Sequence, residues 1–171
     1  MKFFTPDECA AWVRRSGVEF AGGPRREDLL RRGFEAVEFA VPADAGRRVA
    51  LSRVLWDMVS AAQVDGVLLW VTAAGIWPSG EHAPLAEALR RAYGERRDLR
   101  EAPGHHFAAN ERDTALSFLV VAVLFLWDAL LLAADGSVGV FVSHDERGVA
   151  VARTAELMPP LPHWPSGLSS G

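Results

Sequence analysis

The stretch Ala115–Gly148, ALSFLVVAVLFLWDALLLAADGSVGVFVSHDERG, constrains the fold more than any other part of the chain. A membrane-spanning helix needs about 20 predominantly apolar residues. The run from Ala115 to Trp127 is shorter, and Asp128 then interrupts it. Placing that carboxylate in hydrocarbon would cost roughly 3 kcal/mol. Beyond Asp128 the pattern changes from helix to strand. Asp135-Gly136 is a hairpin signal with apolar residues on both sides, and Val138, Val140 and Val142 alternate with Gly139, Phe141 and Ser143. The stretch is therefore expected to be a soluble interior in two parts. The first is a helix apolar nearly all round, the central buried helix of the domain, with Asn110 as N-cap and Asp113 three residues on. The second is a β-hairpin. A two-residue loop at Asp135-Gly136 sets Ala134 opposite Ser137, and the register then brings Asp128 opposite Ser143 and Trp127 opposite His144.

Other segments fall into place around this core. TPDECAAWVRRSG carries a capping box (Thr5, Glu8), a proline in the first turn (Pro6) and a stop (Gly17), with Cys9, Trp12 and Val13 on one face. GGPRREDLLRRG reads as a loop and a short helix stopped at Gly33. FEAVEFAVP alternates as a strand closed by Pro42, and GVLLWVT at 66–72 is a continuous apolar run expected as a central strand. Between them Asp44 opens a helix with Leu51, Val54, Leu55, Met58 and Val59 at three-four spacing and Trp56 beside the stripe. HAPLAEALRRAYG predicts a helix whose apolar face is Leu85, Ala88, Leu89 and Ala92, stopped at Gly94. ERRDLREAPGHHFAAN reads as the longest polar connection, and DERG as the turn of a second hairpin leading into VAVAR.

The element order is α-α-β-α-β-α-α-β-β-β. It predicts an α+β fold: one domain over 1–157, a mixed or antiparallel sheet of about five strands ending in a three-stranded meander, and helices packed on the sheet. A tail over 158–171 is rich in Pro, Gly and Ser.

Charge and composition narrow the function classes. The chain has 171 residues and a net charge of −4, which argues against a nucleic-acid binder that neutralises many phosphates. Arg14, Arg15, Arg25, Arg26, Arg31 and Arg32 interleave with Asp7, Glu8, Glu19, Glu27 and Asp28, as on a solvated mixed surface. Cys9 is the only cysteine, so an internal disulfide and a cysteine-based metal site are both excluded. The N-terminus lacks the long apolar segment of a secretory signal, and a reduced cytoplasmic location with no membrane partner is expected.

The candidate chemistry lies at the end of the hydrophobic stretch. The expected register gathers Asp128, Ser143, His144, Asp145 and Glu146. His144 there is a candidate general base or metal ligand, with Asp128 or Asp145 as its partner. The competing reading is structural: Asp145 caps the turn, Glu146 and Arg147 are exposed at its tip, and Asp128 ties Ser143 or a backbone amide across the hairpin. His105 and His106 are candidate metal ligands together with His144, yet adjacent histidines diverge and no HExxH or zinc spacing is present. The phosphate-binding and nucleophile-elbow motifs are absent, and no cofactor is implied. Trp77 in AAGIWPSGEHAP and Trp164 in the tail are large aromatics outside any predicted element; with Asp145 and Glu146 they are candidates for partner contact.

The segment FLWDALLLAADGSVGVFVSHDERG resembles the C-terminal hairpins of small bacterial proteins, some of which sit beside toxins as immunity proteins. The resemblance covers under a quarter of the chain and assigns no residue a role. An acidic domain with a well-specified core and no reaction centre leads to the expectation of a non-enzymatic protein-binding protein, of immunity or accessory type. The alternatives are a small hydrolase or metal-dependent enzyme using the His/Asp cluster, and a homo-oligomeric structural subunit.

Overall fold

The computed structural model describes residues 1–18, 29, 34–62, 66–74 and 79–158. Four helices are described: α1 (Pro6–Arg15), α2 (Ala45–Ala61), α3 (Ala83–Ala92) and α4 (Arg112–Leu124). The strands are β1 (Lys2–Phe4), β2 (Glu35–Ala40), β3 (Val67–Ala73), β4 (Gly104–Phe107), β5 (Asp128–Ala133), β6 (Val138–Ser143) and β7 (Arg147–Ala152). They form one antiparallel sheet of seven strands in the order β1-β4-β3-β5-β6-β7-β2. The fold is α+β, with β5-β6-β7 as the C-terminal meander.

Both faces of the sheet are covered. Val67, Leu69, Val71, Leu131, Val140 and Ala150 meet Leu51, Leu55, Trp56, Phe118 and Leu119 of α2 and α4 on one face. Leu68, Trp70, Leu130, Leu132 and Val151 meet Cys9, Trp12 and Val13 of α1 on the other. Burial on two sides explains why β3 and β5 read as unbroken apolar runs even though the sheet is antiparallel. The greasy stretch splits as expected. Helix α4 is 13 residues long, about 20 Å, and no helix among the described residues is long and apolar enough to cross a membrane.

The chain leaves α4 through a Schellman-type end, in which Trp127 N donates to Ala122 O and Leu126 sits at φ 53°. β5 starts at Asp128, and the β5–β6 register pairs Ala129 with Val142 and Leu132 with Gly139. That is the register obtained by counting outward from Asp135-Gly136.

Several expectations are corrected. The sheet has seven strands because β1 and β4, of three and four residues, are too short to show a period. β4 lies inside what reads as the long polar connection. The hairpin turn is not a two-residue loop: β5 ends at Ala133 and β6 begins at Val138, Gly136 N donates to Ala133 O, and only Gly136 of the pair has positive φ. The Asp135 carboxylate instead accepts from Ser137 N at 2.9 Å and Ser137 Oγ at 2.7 Å, a local bond that holds Asp135 out of the left-handed region a two-residue turn demands.

Helix α4 starts at Arg112 behind Glu111, with no side-chain cap from Asn110. Glu111 is committed elsewhere: it accepts from Ala108 N and pairs with the Met1 amine. Nor is α4 central. It buries Ala115, Phe118, Leu119, Ala122 and Val123 and leaves Leu116, Val120 and Val121 half-buried. The loop-and-helix reading of 22–33, apart from Leu29, lies outside the described residues, as does 159–171 of the tail.

Candidate functional site

Two places are candidate sites: the polar turn at the end of β6, and the outer face of α3. At the first, the hairpin register brings Asp128 to His144. A single oxygen, Asp128 Oδ1, accepts from His144 N at 2.7 Å and from His144 Nδ1 at 2.8 Å. Asp145 Oδ1 stands 3.4 Å from His144 Nε2, and Asp145 N donates to Ser143 Oγ at 3.2 Å. The bond to Asp128 raises the His144 pKa above its ordinary value; burial opposes it, and the charges of Asp128 and Asp145 add smaller increases.

The turn is tied down from outside as well. Glu146, at φ 60°, accepts from Val41 N through its carbonyl. Arg48 donates Nε to Pro42 O at 2.6 Å and Nη1 to Leu124 O at 2.8 Å, and its Nη2 lies 3.3 Å from Glu146 Oε1. One guanidinium thus caps the C-terminus of α4 and fastens the β6–β7 turn to it. With carboxylates on both ring nitrogens, His144 is held as a turn lock, and Ser143 Oγ is engaged by the backbone.

A raised imidazole pKa fixes the sign of the pH response. The pair stabilises the fold fully below the ordinary imidazole value near 6.5, and this contribution is lost as pH rises through the raised value. Thermal midpoints of the wild type should therefore fall between about pH 5.5 and about pH 9 more than those of Asp128→Asn. Equal falls in both proteins would show that the pair contributes nothing. The effect is small, because the imidazole is 37% exposed and screened.

The other histidines do not join this cluster. β4, which carries His105 and His106, is separated from β6 by β3 and β5, and the two side chains face opposite sides of the sheet. His105 lies 4.8 Å from the Phe118 ring and 5.4 Å from Phe3. Its Nε2 is 3.2 Å from Arg90 Nη1, while Nδ1 has no hydrogen-bond partner. Burial, and then Arg90, push its pKa down to about 3, so it is a neutral acceptor. His106 stacks on Phe4 and lies 4.6 Å from Trp12, under α1. No group of three or more ligating side chains is assembled among the described residues. Burial pushes the Cys9 thiol up to about 12, the opposite of what a nucleophile needs. Trp77, Trp164 and His163 lie outside the described residues.

The second place was concealed by the sequence. The apolar face expected for α3 was to pack inward, but the residues it buries are Ala86 and Arg90. Each is one position on from Leu85 and Leu89, so the helix is rolled by about 100° from the expected orientation. Leu85 is left 53% exposed and Tyr93, just past the helix end, 45% exposed. Ala88 and Ala92 between them are exposed too, and only Leu89 stays half-buried.

Arg90, 1% exposed, causes the roll. Its Nη1 donates to Ala102 O at 2.7 Å, and its Nη2 to Arg97 O and Asp98 O, each at 3.2 Å. The guanidinium also stacks over Phe3 at 5.2 Å. The carbonyls come from a loop past the helix, so a helical wheel of α3 alone cannot show where this arginine points.

No family model matches this chain, and neither does any curated protein or solved structure. The functional reading therefore rests on the two surfaces just described.

Proposed function

We propose that this chain is a non-enzymatic, cytoplasmic protein-binding protein of bacterial type, working as an immunity or accessory factor through the outer face of α3. The observation that carries this reading is the exposure of Leu85 and Tyr93 on a helix that turns an arginine inward. Exposed apolar patches on soluble domains mark interaction surfaces, and a tyrosine at the edge of such a patch supplies both apolar area and a polar tip. Leu85→Glu places a charge where nothing in the fold needs an apolar group. The variant should keep its thermal midpoint within about 2 °C of wild type and lose the partner that the wild type retains on affinity purification from the native host. An identical set of retained proteins for both, or none for either, defeats the reading.

A second reading is an acid–base enzyme built on His144, and the 2.8 Å contact between His144 Nδ1 and Asp128 is what favours it. Such an enzyme needs a reacting hydroxyl or water at Nε2, the nitrogen that faces Asp145. His144→Ala would then abolish turnover of whatever substrate the wild type hydrolyses, whereas the binding reading expects the variant to retain the partner. A third outcome, a homo-oligomer, is read directly from the mass in solution.

A further inference from the structure

We infer that the contact between His105 and Arg90 is an acid-operated latch on the N-terminal strand: protonation of His105 expels Phe3 and releases β1 from the edge of the sheet while the rest of the fold stays closed. The inference stands apart from the α3 reading. Three side chains meet in one buried place. Phe3 lies opposite His105 in the β1–β4 ladder. Its ring is 5.4 Å from the imidazole and 6.2 Å from Phe118, and the Arg90 guanidinium stacks on it at 5.2 Å. His105 and Arg90 are 2% and 1% exposed, with His105 Nε2 3.2 Å from Arg90 Nη1. A neutral imidazole accepts there from the guanidinium. A protonated one has no acceptor to offer, and it sets a second cation against the first in a site shielded from water.

β1 is the element that yields. Arg90 is fixed by the carbonyls of Arg97, Asp98 and Ala102. His105 is fixed by β4, whose other edge is paired with β3 through Leu69. β1 has three residues and pairs with β4 alone, so its departure opens His105 to water at the smallest loss of structure. The charges nearby do not neutralise the pair. Phe118 of α4 and Leu69 of β3 bring none. Glu95 is closed on Arg97, whose Nη2 reaches Phe3 O at 3.4 Å. At the ends of β1, Glu111 holds the Met1 amine and Glu8 accepts from Thr5 N. His106 faces the other side of the sheet, stacked on Phe4. Burial, then Arg90, hold the His105 pKa at about 3 in the closed form, against the Leu69 and Pro103 carbonyls and the charge of Glu95. Opening returns it toward the ordinary value near 6.5. Closure is therefore at full strength above about pH 6.5 and weakens as pH falls toward about 3. Glu95, held at about 2 by Arg97, and Glu111, lowered by its bond to the Met1 amine, keep their charges over the upper part of that window.

Hydrogen–deuterium exchange of the full chain, read as protection factors from about pH 7 to about pH 5, tests this. At neutral pH, peptides covering β1 should be less protected than those covering β3 and β5. By about pH 5 the β1 protection should have fallen about tenfold or more, as one proton taken up on opening requires. His105→Gln keeps an acceptor for Arg90 but takes up no proton, so its β1 protection should hold within about twofold over the same range. His105→Asn serves in its place if the glutamine variant does not fold. In the wild type alone, β1 protection equal to that of β3 and β5 overturns the latch, because the strand then leaves only on global unfolding. An equal fall in the wild type and the His105 variant overturns it too. A fall that persists in the His105 variant and is abolished by His106→Gln overturns the assignment by passing control to the histidine on the opposite face.

Discussion

Arg90→Ala is expected to lower stability by about 3–5 kcal/mol, seen as a fall of roughly 8–16 °C in the thermal midpoint. Three carbonyls, those of Arg97, Asp98 and Ala102, each receive a hydrogen bond from this one side chain. Alanine removes the donor to the Arg97 and Ala102 carbonyls, leaves Asp98 O with only Ala102 N, and opens a cavity beneath Phe3, over which the guanidinium stacks. The cation is sustained by these carbonyls and by the neutral His105 ring, with no carboxylate in contact among the described residues; burial lowers its pKa, opposed by the charge of Glu95. Lysine keeps the charge but presents its donors from a single point, where the planar fork of arginine reaches several carbonyls at once. Arg90→Lys should therefore recover only part of the loss. Chemical denaturation of the three proteins decides the matter, and a midpoint for Arg90→Ala within about 1 kcal/mol of wild type would remove the proposed role of this residue.

Gly136→Ala should cost about 3 kcal/mol or more. Gly136 sits at φ 65°, and a Cβ there would stand 2.0 Å from Ser16 O, a backbone atom. The turn is also fastened from the other side, since Ser16 Oγ donates to Ala134 O at 2.8 Å. Neither partner can yield without parting α1 from the β5–β6 hairpin. Gly17→Ala separates the two contributions. Its φ is 71°, but the added carbon meets nothing within 4 Å, so only the left-handed strain remains, about 1 kcal/mol. Similar losses at both positions, measured by denaturation, would contradict the close approach at Ser16.

How far the fold could be read before its coordinates were known depended on where each residue's neighbours came from. The capping box of α1 and its buried face of Cys9, Trp12 and Val13 are local, and the local pattern gives them. The approach of Asp128 to His144 is legible in part, because counting from the hairpin turn sets Asp128 opposite Ser143, the residue next to His144. The count survives the change in turn type, since lengthening a loop symmetrically leaves the register intact. Strands β1 and β4 were hidden by brevity and by partners far along the chain: Phe3 finds His105. The α3 face was hidden for a sharper reason. Leu85, Ala88, Leu89 and Ala92 form a better apolar stripe than the pair the helix buries, and the carbonyls that draw Arg90 inward lie in a polar loop. A stripe that the sheet does not need is available to something else.

The order of strands in the sheet has a consequence for how the molecule is made. Its two outermost ribbons, β1 and β2, come from the first 40 residues, while their neighbours β4 and β7 lie at 104–107 and 147–152. During synthesis the earliest segments emerge with no edge to join, and β2 must wait until the last of the seven described strands, β7, has left the ribosome. The meander of β5, β6 and β7, built from adjacent segments, closes quickly by comparison. Its β7 flank stays open until the N-terminal ribbon returns, and that interval is when a nascent chain of this design is most exposed to sticking to its neighbours.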